Sequence, residues 1–180
     1  MMVKRRWLGL GVVLAALTLL WGTRTPAADR VVLQYGFMSG SVVIEDLENL
    51  AETGETSLEL KAYLMLANQQ PETLRQVLTK EVVVNGALLE GLLTTPPGEL
   101  MLDQVGDVLH NPDNEDNGQA LRSAIVSSAR PDGNITLLEV LQNYPSNEIH
   151  VNGDRVGELA ATLDNAIAQL PDWLVRILVR

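Results

Sequence analysis

Residues 31–44 have the sequence Val-Val-Leu-Gln-Tyr-Gly-Phe-Met-Ser-Gly-Ser-Val-Val-Ile. Two short apolar, β-branched runs flank a segment that contains glycine, which is typical of a strand, a turn and a return strand. The sequence therefore predicts strands over 31–35 and 41–44, joined by a turn over 36–41. A two-stranded hairpin is only marginally stable in water, so this hairpin must pack against other elements.

Downstream of the hairpin, the apolar residues are spaced as in short helices. Acidic residues begin a helical segment over 45–52, and Gly54 is placed to end it as a C-cap. Pro71 and the pair Pro96-Pro97 stand where the first turns of further helices belong. In the segment before Pro71, apolar residues recur at intervals of three and four, at Leu60, Tyr63, Leu64 and Ala67.

Two capping boxes are predicted at helix starts, Thr56 with Glu59 and Thr136 with Glu139, because each pair has the spacing that lets the two residues bond each other's backbone amides. A short strand is expected over 149–151. The periodicity predicts roughly six to eight short helices in all. The expected fold class is mainly α: a small multi-helix domain with a short N-terminal β-hairpin.

The composition excludes several classes of site and partner. The chain has 180 residues, with 13 Lys and Arg, 23 Asp and Glu, and no cysteine. Without cysteine there is no disulfide, no cysteine nucleophile and no thiolate metal site. The acidic balance argues against a nucleic-acid partner, because binding the phosphate backbone requires clustered Lys and Arg.

The first 27 residues differ from the rest in charge, since they contain four basic residues and no acidic one. In order, they comprise the basic cluster 4–6, the apolar run 7–21 and the small-residue segment Thr25-Pro26-Ala27. This order is typical of a signal peptide, and we expect cleavage after Ala27, with Ala28 as the alternative. The other interpretation is an uncleaved membrane anchor, for which the apolar run is shorter than the roughly 20 residues of a spanning helix.

The expected domain organisation follows from this N-terminal segment. Residues 1–27 are predicted to be the signal peptide, 28–170 the helical domain and 171–180 an apolar C-terminal tail. Without residues 1–27, 9 basic and 23 acidic residues remain, so the formal net charge falls from −10 to −14. We expect an exported protein, located in the periplasm, the thylakoid lumen or outside the cell, with a membrane contact only through the N-terminal segment if that segment is not cleaved.

Two acidic segments resemble halves of a calcium-binding loop. Residues 113–118 have oxygen-bearing side chains and a glycine at the first positions of such a loop, but Ala124 stands where a bidentate glutamate is required. Residues 132–139 match the later positions, but Arg130 stands where a ligand oxygen is required. We therefore predict no metal ion and no cofactor.

The sequence offers no recognisable catalytic constellation. Its two histidines, His110 and His150, are far apart and form no zinc-binding pair; we expect His110 near a helix C-terminus and His150 on the open face of a strand. The nucleophile elbow Gly-x-Ser-x-Gly is missing, and the nearest string, over 36–40, has the wrong spacing. No catalytic residue is predicted.

The apolar tail is the candidate partner-docking segment. It contains Trp173, the only tryptophan after residue 27, and a docking face is predicted from Trp173, Leu174, Ile177 and Leu178. The alternative is that this tail folds back and completes the core.

Several stretches together resemble a cyanobacterial domain family of unknown function; they are 28–36, 43–48, 51–55 and 137–145. The resemblance covers most of 28–160. It implies a domain that follows a signal peptide and precedes an α/β-hydrolase domain, and that is often labelled a hydrolase for this reason. No catalytic residue is carried over by these motifs, and between 160 and Arg180 we expect no room for a hydrolase domain.

The expected function is therefore that of an exported, non-catalytic helical domain. It would bind or regulate a protein partner such as an α/β hydrolase. The alternative is an esterase- or lipase-like hydrolase of the α/β-hydrolase family with a non-standard site.

Overall fold

The computed structural model describes residues 27–168. The helices in this range are Ile44–Thr53 (α1), Leu58–Leu66 (α2), Pro71–Thr79 (α3), Gly86–Leu93 (α4), Pro96–Gly106 (α5), Asn117–Ala129 (α6), Leu137–Gln142 (α7) and Val156–Ala168 (α8). The strands are Arg30–Tyr35 (β1), Met38–Val43 (β2), Val82–Val83 (β3), Leu109–His110 (β4), Asn134–Ile135 (β5) and Glu148–Asn152 (β6). The prediction of a mainly helical domain with an N-terminal hairpin is confirmed.

The hairpin belongs to a four-stranded sheet with the order β2-β1-β6-β4. β1 is antiparallel to β2 and parallel to β6, and β4 is antiparallel to β6. β3 and β5 form a separate two-stranded sheet. Because β6 runs parallel to β1, it ends beside the hairpin turn, with Gln34 opposite Asn152. The chain therefore enters the sheet at one end, through β1, and leaves it for α8 at the other end.

One face of this sheet covers the helical core. Side chains alternate between the two faces of a strand, and Val31, Val42, Leu109 and Val151 pack against the buried cluster, while Ile149 is fully buried within it. The helices contribute the rest of the cluster, mostly leucines: Leu47, Leu50, Leu60, Leu64, Leu78, Leu102, Leu121 and Leu141. Each such side chain contributes about 1.5–3 kcal/mol when it is removed from water. Aliphatic helix packing thus holds the domain.

The two predicted capping boxes have different outcomes. Thr136 and Glu139 form both halves: the Glu139 amide donates to Thr136 Oγ1 (3.2 Å) and the Thr136 amide donates to Glu139 Oε2 (2.8 Å). The predicted Thr56 cap is wrong, because Ser57 is the N-cap of α2 and accepts a bond from the Leu60 amide. The Ser57 hydroxyl also donates to Asp46 on α1 at 2.7 Å, a tertiary contact that favours this start.

The hairpin turn is tighter than predicted. Only Gly36 and Phe37 lie between the strands, and Gly36 has a φ of 55°, which glycine adopts without strain. Gly40, expected in the turn, lies in β2. A Cβ at this position would lie 2.5 Å from ring atoms of Tyr63, so the absence of a side chain lets α2 approach the strand.

In the range 27–168, no helix has the length and apolar character required to cross a bilayer.

Candidate functional site

The predicted site residues lie at the two ends of the described structure or outside it. Ala27 is exposed, whereas the next residue, Ala28, is buried against the core two residues before β1. The candidate docking residues Trp173, Leu174, Ile177 and Leu178 lie outside the described residues, so the docking face remains a prediction. The described residues offer a different apolar surface, at the hairpin.

The turn of the hairpin carries the most exposed aromatic side chain among the described residues. Phe37, the single phenylalanine of the chain, is 99 % exposed, and Tyr35 is 59 % exposed. Leu33 and Met38, beside them, are also exposed. Phenylalanine and leucine are usually buried, and a contiguous exposed apolar group marks an interaction site or a membrane contact. We call Leu33, Tyr35, Phe37 and Met38 the tip patch.

The register of the hairpin explains why these residues stand together. Tyr35 pairs with Met38 and Leu33 pairs with Gly40, so Leu33, Tyr35 and Met38 share the sheet face that carries Val31 further along the strand. Val31 covers the core, but the same face continues toward the turn and is exposed there. The tip patch is thus the uncovered end of an otherwise buried face, with Phe37 at its apex.

The segment that follows β6 holds the hairpin turn in place. The Gly153 amide donates to the Gln34 carbonyl oxygen at 2.7 Å, and the Gly36 amide donates to Asp154 Oδ2 at 2.8 Å. A Cβ at Gly153 would lie 2.9 Å from the Gln34 oxygen and 3.2 Å from the Tyr35 ring, so glycine permits this close approach. A surface that is fixed before binding loses less entropy when a partner covers it.

The segment that leads into α8 belongs to the same end of the sheet. Arg155, which follows the two residues that hold the hairpin turn, donates to the Asp107 carbonyl oxygen (3.3 Å) and lies 3.4 Å from its carboxylate. The start of α8 is thereby tied to the end of α5 as well as to the hairpin. The predicted docking tail, 171–180, follows α8 in the sequence.

One feature of the sequence points to the tip patch, although the spacing of apolar residues does not reveal it. Turns favour Gly, Pro, Asn, Asp and Ser, yet the residue after Gly36 is a phenylalanine, and Tyr35 and Met38 stand on either side of this Gly-Phe pair. A large apolar residue in a two-residue turn has no strand face on which to be buried. It therefore indicates a function other than folding.

The two histidines lie together, although they are distant in sequence. His110 on β4 is directly opposite His150 on β6, with ring centroids 5.5 Å apart. His110 Nδ1 donates to the Asn111 carbonyl oxygen at 2.7 Å, and His150 Nε2 lies 3.5 Å from Glu148 Oε2. The expectation that His110 lies at a helix C-terminus is wrong because the residue pairs in a β-ladder; His150 does lie on a strand.

The described residues do not assemble the groups that catalysis or metal binding would use into a triad or a metal-binding cluster. Among residues 27–168, no hydrogen bond joins a histidine to a serine, and no three His, Asp or Glu side chains are placed to hold a metal ion. In the two segments that resemble a calcium loop, Glu139 accepts the bonds of its capping box and Asp132 accepts a bond from the Asn134 amide. These carboxylates stabilise local turns.

An open cleft lies between α4 and α6 and has a volume of about 420 Å³. Its polar lining includes Ser123, Ser127, Arg122 and Arg130. The Arg122 guanidinium is already used, since it donates to the Leu93 carbonyl oxygen at 3.1 Å and to Glu99 at 3.2 Å. Arg122 therefore joins three helices as a structural tie.

Comparison with protein families assigns the region just described. Residues 27–152 match the family described as "Alpha/beta hydrolase of unknown function (DUF1400)". The chain belongs to this family. No curated protein and no solved structure matches it. The DUF1400 region ends with β6, so it contains the sheet, the tip patch and α1 to α7, whereas α8 follows it. The cyanobacterial origin and the position ahead of a hydrolase domain stay predictions.

Proposed function

We propose that this chain is an exported, non-catalytic domain that binds an α/β hydrolase through the tip patch. The observation that carries the proposal is an almost fully exposed Phe37 at the apex of a hairpin whose turn is bonded to Asp154 and Gly153. An exposed aromatic side chain on a turn whose backbone is held in place is typical of an interface anchor.

The energetics support a binding role for this patch. Burying a phenylalanine side chain contributes about 1.5–3 kcal/mol, and an aromatic anchor at the centre of an interface often accounts for 2 kcal/mol or more. The patch alone is smaller than a stable protein interface, which buries about 800 Å² on each partner. Gly153 and Asp154, which contact the hairpin turn and lead into α8, are the natural extension of the contact surface.

The orientation of the sheet favours a soluble protein as the partner of the tip patch, rather than the membrane that an uncleaved N-terminal segment would contact. The tip patch lies at the opposite end of β1 from Ala28, a distance of about 20 Å for a strand of this length. The formal charge of −14 beyond residue 27 also opposes contact with an anionic bilayer. A protein with an apolar cleft is the partner that this surface fits.

The choice of a hydrolase rests on the family description. Enzyme clefts are concave and mostly apolar, so a fixed aromatic tip fits one better than it fits a flat surface. A domain that occupies such a cleft would regulate access to it. The capping role of Glu139 supports a chain that does no chemistry itself.

The test is capture of a chemically identified partner. Serine hydrolases of the exported fraction are labelled with a fluorophosphonate probe and incubated with the tagged full-length chain, with Phe37→Ser, or with Leu100→Ser. Leu100 is a matched control because it is an exposed leucine on α5, which packs beside β4 at the sheet edge opposite β2.

The proposal predicts that the parent chain and Leu100→Ser retain a fluorophosphonate-labelled α/β hydrolase. Phe37→Ser should retain at least about tenfold less of the labelled hydrolase than the parent chain. Equal retention by all three chains contradicts binding through the tip patch. A fluorophosphonate adduct on a serine of this chain would instead establish the alternative, a hydrolase with a non-standard site. The family description favours that alternative, and Ser123 and Ser127 in the α4–α6 cleft are the serines to inspect.

A further inference from the structure

Strand β2 forms one edge of the four-stranded sheet, and part of its backbone faces away from the sheet. The Gln34 carbonyl oxygen accepts a bond from the segment after β6, so Gln34 points toward β6. Opposite residues of an antiparallel pair alternate between bonded and unbonded, so Ser39, opposite Gln34, directs its amide and carbonyl away from β1. The same alternation turns the Ser41 backbone and the Val43 amide outward. In the part of the chain that the structure describes, no other element bonds these groups.

The two edges of the sheet differ in how they are protected. The opposite edge, β4, consists of Leu109–His110 only and is followed by Pro112 and the acidic segment 113–116. Very short strands, proline and charged residues prevent an edge from pairing with another chain. β2 has six residues, and the segment 36–44 contains neither a charged residue nor a proline. β2 therefore lacks the features that would keep a second strand away.

Helix α2 lies beside this edge and is apolar on two opposite faces. One face is buried in the core, and the other has three exposed apolar side chains: Leu58 (85 % exposed), Met65 (72 %) and Leu66 (73 %). A helix that is apolar all round is normally buried. Leu66 follows Tyr63 by one helical turn, and the Tyr63 ring packs against Gly40 of β2. The exposed face of α2 is thus on the same side of the domain as the free edge.

We propose that two copies of this chain form a dimer by antiparallel pairing of their β2 strands, with the exposed faces of α2 packed beside the paired strands. A strand edge is its own complement about a two-fold axis, because each outward amide meets an outward carbonyl oxygen of the other copy. An axis at Ser41 places the two Ser41 residues opposite each other and Ser39 of each copy opposite Val43 of the other. The sheet would then continue through both copies.

Area and charge are both compatible with this dimer. Each partner in a stable interface buries about 800 Å². The edge of one short strand is too small for this, and the exposed side chains of α2 add the apolar area that the edge lacks. The formal charge of −14 beyond residue 27 opposes self-association in general, but the paired strands themselves are uncharged.

The first experiment measures the dissociation constant of the full-length chain by analytical ultracentrifugation. In Ser41→Lys, two lysines would face each other across the dimer and repel, so the dissociation constant should rise about tenfold. Gln34→Lys is the matched control, because Gln34 is exposed on the same sheet face but on β1. It should dimerise like the parent. A monomeric parent, an unchanged constant for Ser41→Lys, or an equal rise for Gln34→Lys overturns the proposal.

The second experiment tests the register of the paired strands. The chain has no cysteine, so one substitution introduces its only thiol. Opposite residues of a bonded antiparallel pair have Cα atoms about 5.5 Å apart, which suits a disulfide. Oxidation of Ser41→Cys should therefore give a disulfide-linked dimer. Ser39→Cys should give about tenfold less, because its two copies would lie beyond the roughly 7 Å limit of a disulfide. Equal yields, or no linked dimer from Ser41→Cys, overturn the proposal.

The third experiment tests the contribution of α2. Leu66→Ala keeps a good helix former and removes apolar area, so it should raise the dissociation constant of the dimer about tenfold. Leu100→Ala makes the same change on α5, at the other edge of the sheet, and should leave the constant unchanged. An unchanged constant for Leu66→Ala would leave too little area for a stable dimer and overturns the proposal.

This inference goes beyond the proposed hydrolase binding and uses different groups. Binding relies on Phe37, which precedes β2, whereas dimerisation relies on the outward backbone of β2 and on α2. All three experiments use the purified chain without a hydrolase. A dimer that captures no hydrolase would therefore contradict only the proposed function, and a monomer that captures one would contradict only the dimer.

Discussion

Replacing Tyr144 by phenylalanine tests how a buried hydroxyl group affects the stability of the core. Tyr144 follows α7, is completely buried, and its hydroxyl has no hydrogen-bond partner among the described residues. A buried hydroxyl without a partner destabilises the folded state by about 1–3 kcal/mol. Tyr144→Phe removes this hydroxyl and keeps the ring, so we expect the free energy of unfolding near neutral pH to stay the same or rise by about 1 kcal/mol.

The same substitution should change the response to alkaline pH. Burial raises the pKa of Tyr144 from its ordinary value of 10.0 to about 12. The unfolded chain ionises this phenol above pH 10 while the folded chain resists ionisation, so the stability is complete below pH 10 and is lost as the pH rises through 12. One pKa unit corresponds to about 1.4 kcal/mol, which predicts a loss of about 1.4 kcal/mol at about pH 11 that tends to about 2.7 kcal/mol at higher pH.

The assay is urea unfolding of the full-length chain followed by circular dichroism, for the parent and Tyr144→Phe, near neutral pH and at about pH 11. The difference in unfolding free energy between the two chains should widen with pH by about 1.4 kcal/mol. Tyr35→Phe, which alters an exposed tyrosine, controls for the loss of one phenol and should run parallel to the parent. A constant difference for Tyr144→Phe, or a loss above about 1 kcal/mol at neutral pH, would refute the reasoning, because it would mean that the hydroxyl is bonded in the folded state.

Three further substitutions test the local structure. Gly40→Ala should lower the unfolding free energy by about 1–3 kcal/mol in urea unfolding, since its methyl group would meet the Tyr63 ring. The double variant with Tyr63→Ala should lose less stability than the sum of the losses in the two single variants, and strict additivity would rule out the contact. Thr136→Ala should lower the unfolding free energy by about 1 kcal/mol through loss of the α7 cap, and no change would contradict the cap. Asp154→Ala should accelerate hydrogen exchange of the Gly36 amide, and unchanged exchange would show that this bond does not hold the turn.

The sequence predicted features that depend on a few neighbouring residues. Gly54 ends α1 in the left-handed conformation, Pro71 begins α3, and Asn85 caps α4 by accepting a bond from the Leu88 amide. The Thr136 capping box is also correct. Capping and proline effects act within one helical turn. The residues involved are therefore close together in the chain, and their pattern can be recognised from the sequence.

Features that join distant parts of the chain could not be predicted in this way. His110 meets His150 only because β4 and β6 pair, and nothing in the local sequence of either strand specifies that register. Ser57 replaces the predicted cap Thr56 because its hydroxyl also reaches Asp46 on the preceding helix. The exposure of Phe37 likewise follows from a sheet face that is covered at one end and open at the other.

Contact between the tip patch and a hydrolase is measured most simply by site-specific photo-crosslinking. A benzophenone-bearing phenylalanine analogue replaces Phe37 in one full-length chain and the exposed Leu100 in another, and each is irradiated with the fluorophosphonate-labelled hydrolase that the parent chain captures. We predict a crosslink from position 37 to residues lining the hydrolase cleft, and none from position 100. A crosslink of equal yield from both positions, or from position 100 only, would contradict binding through the tip patch.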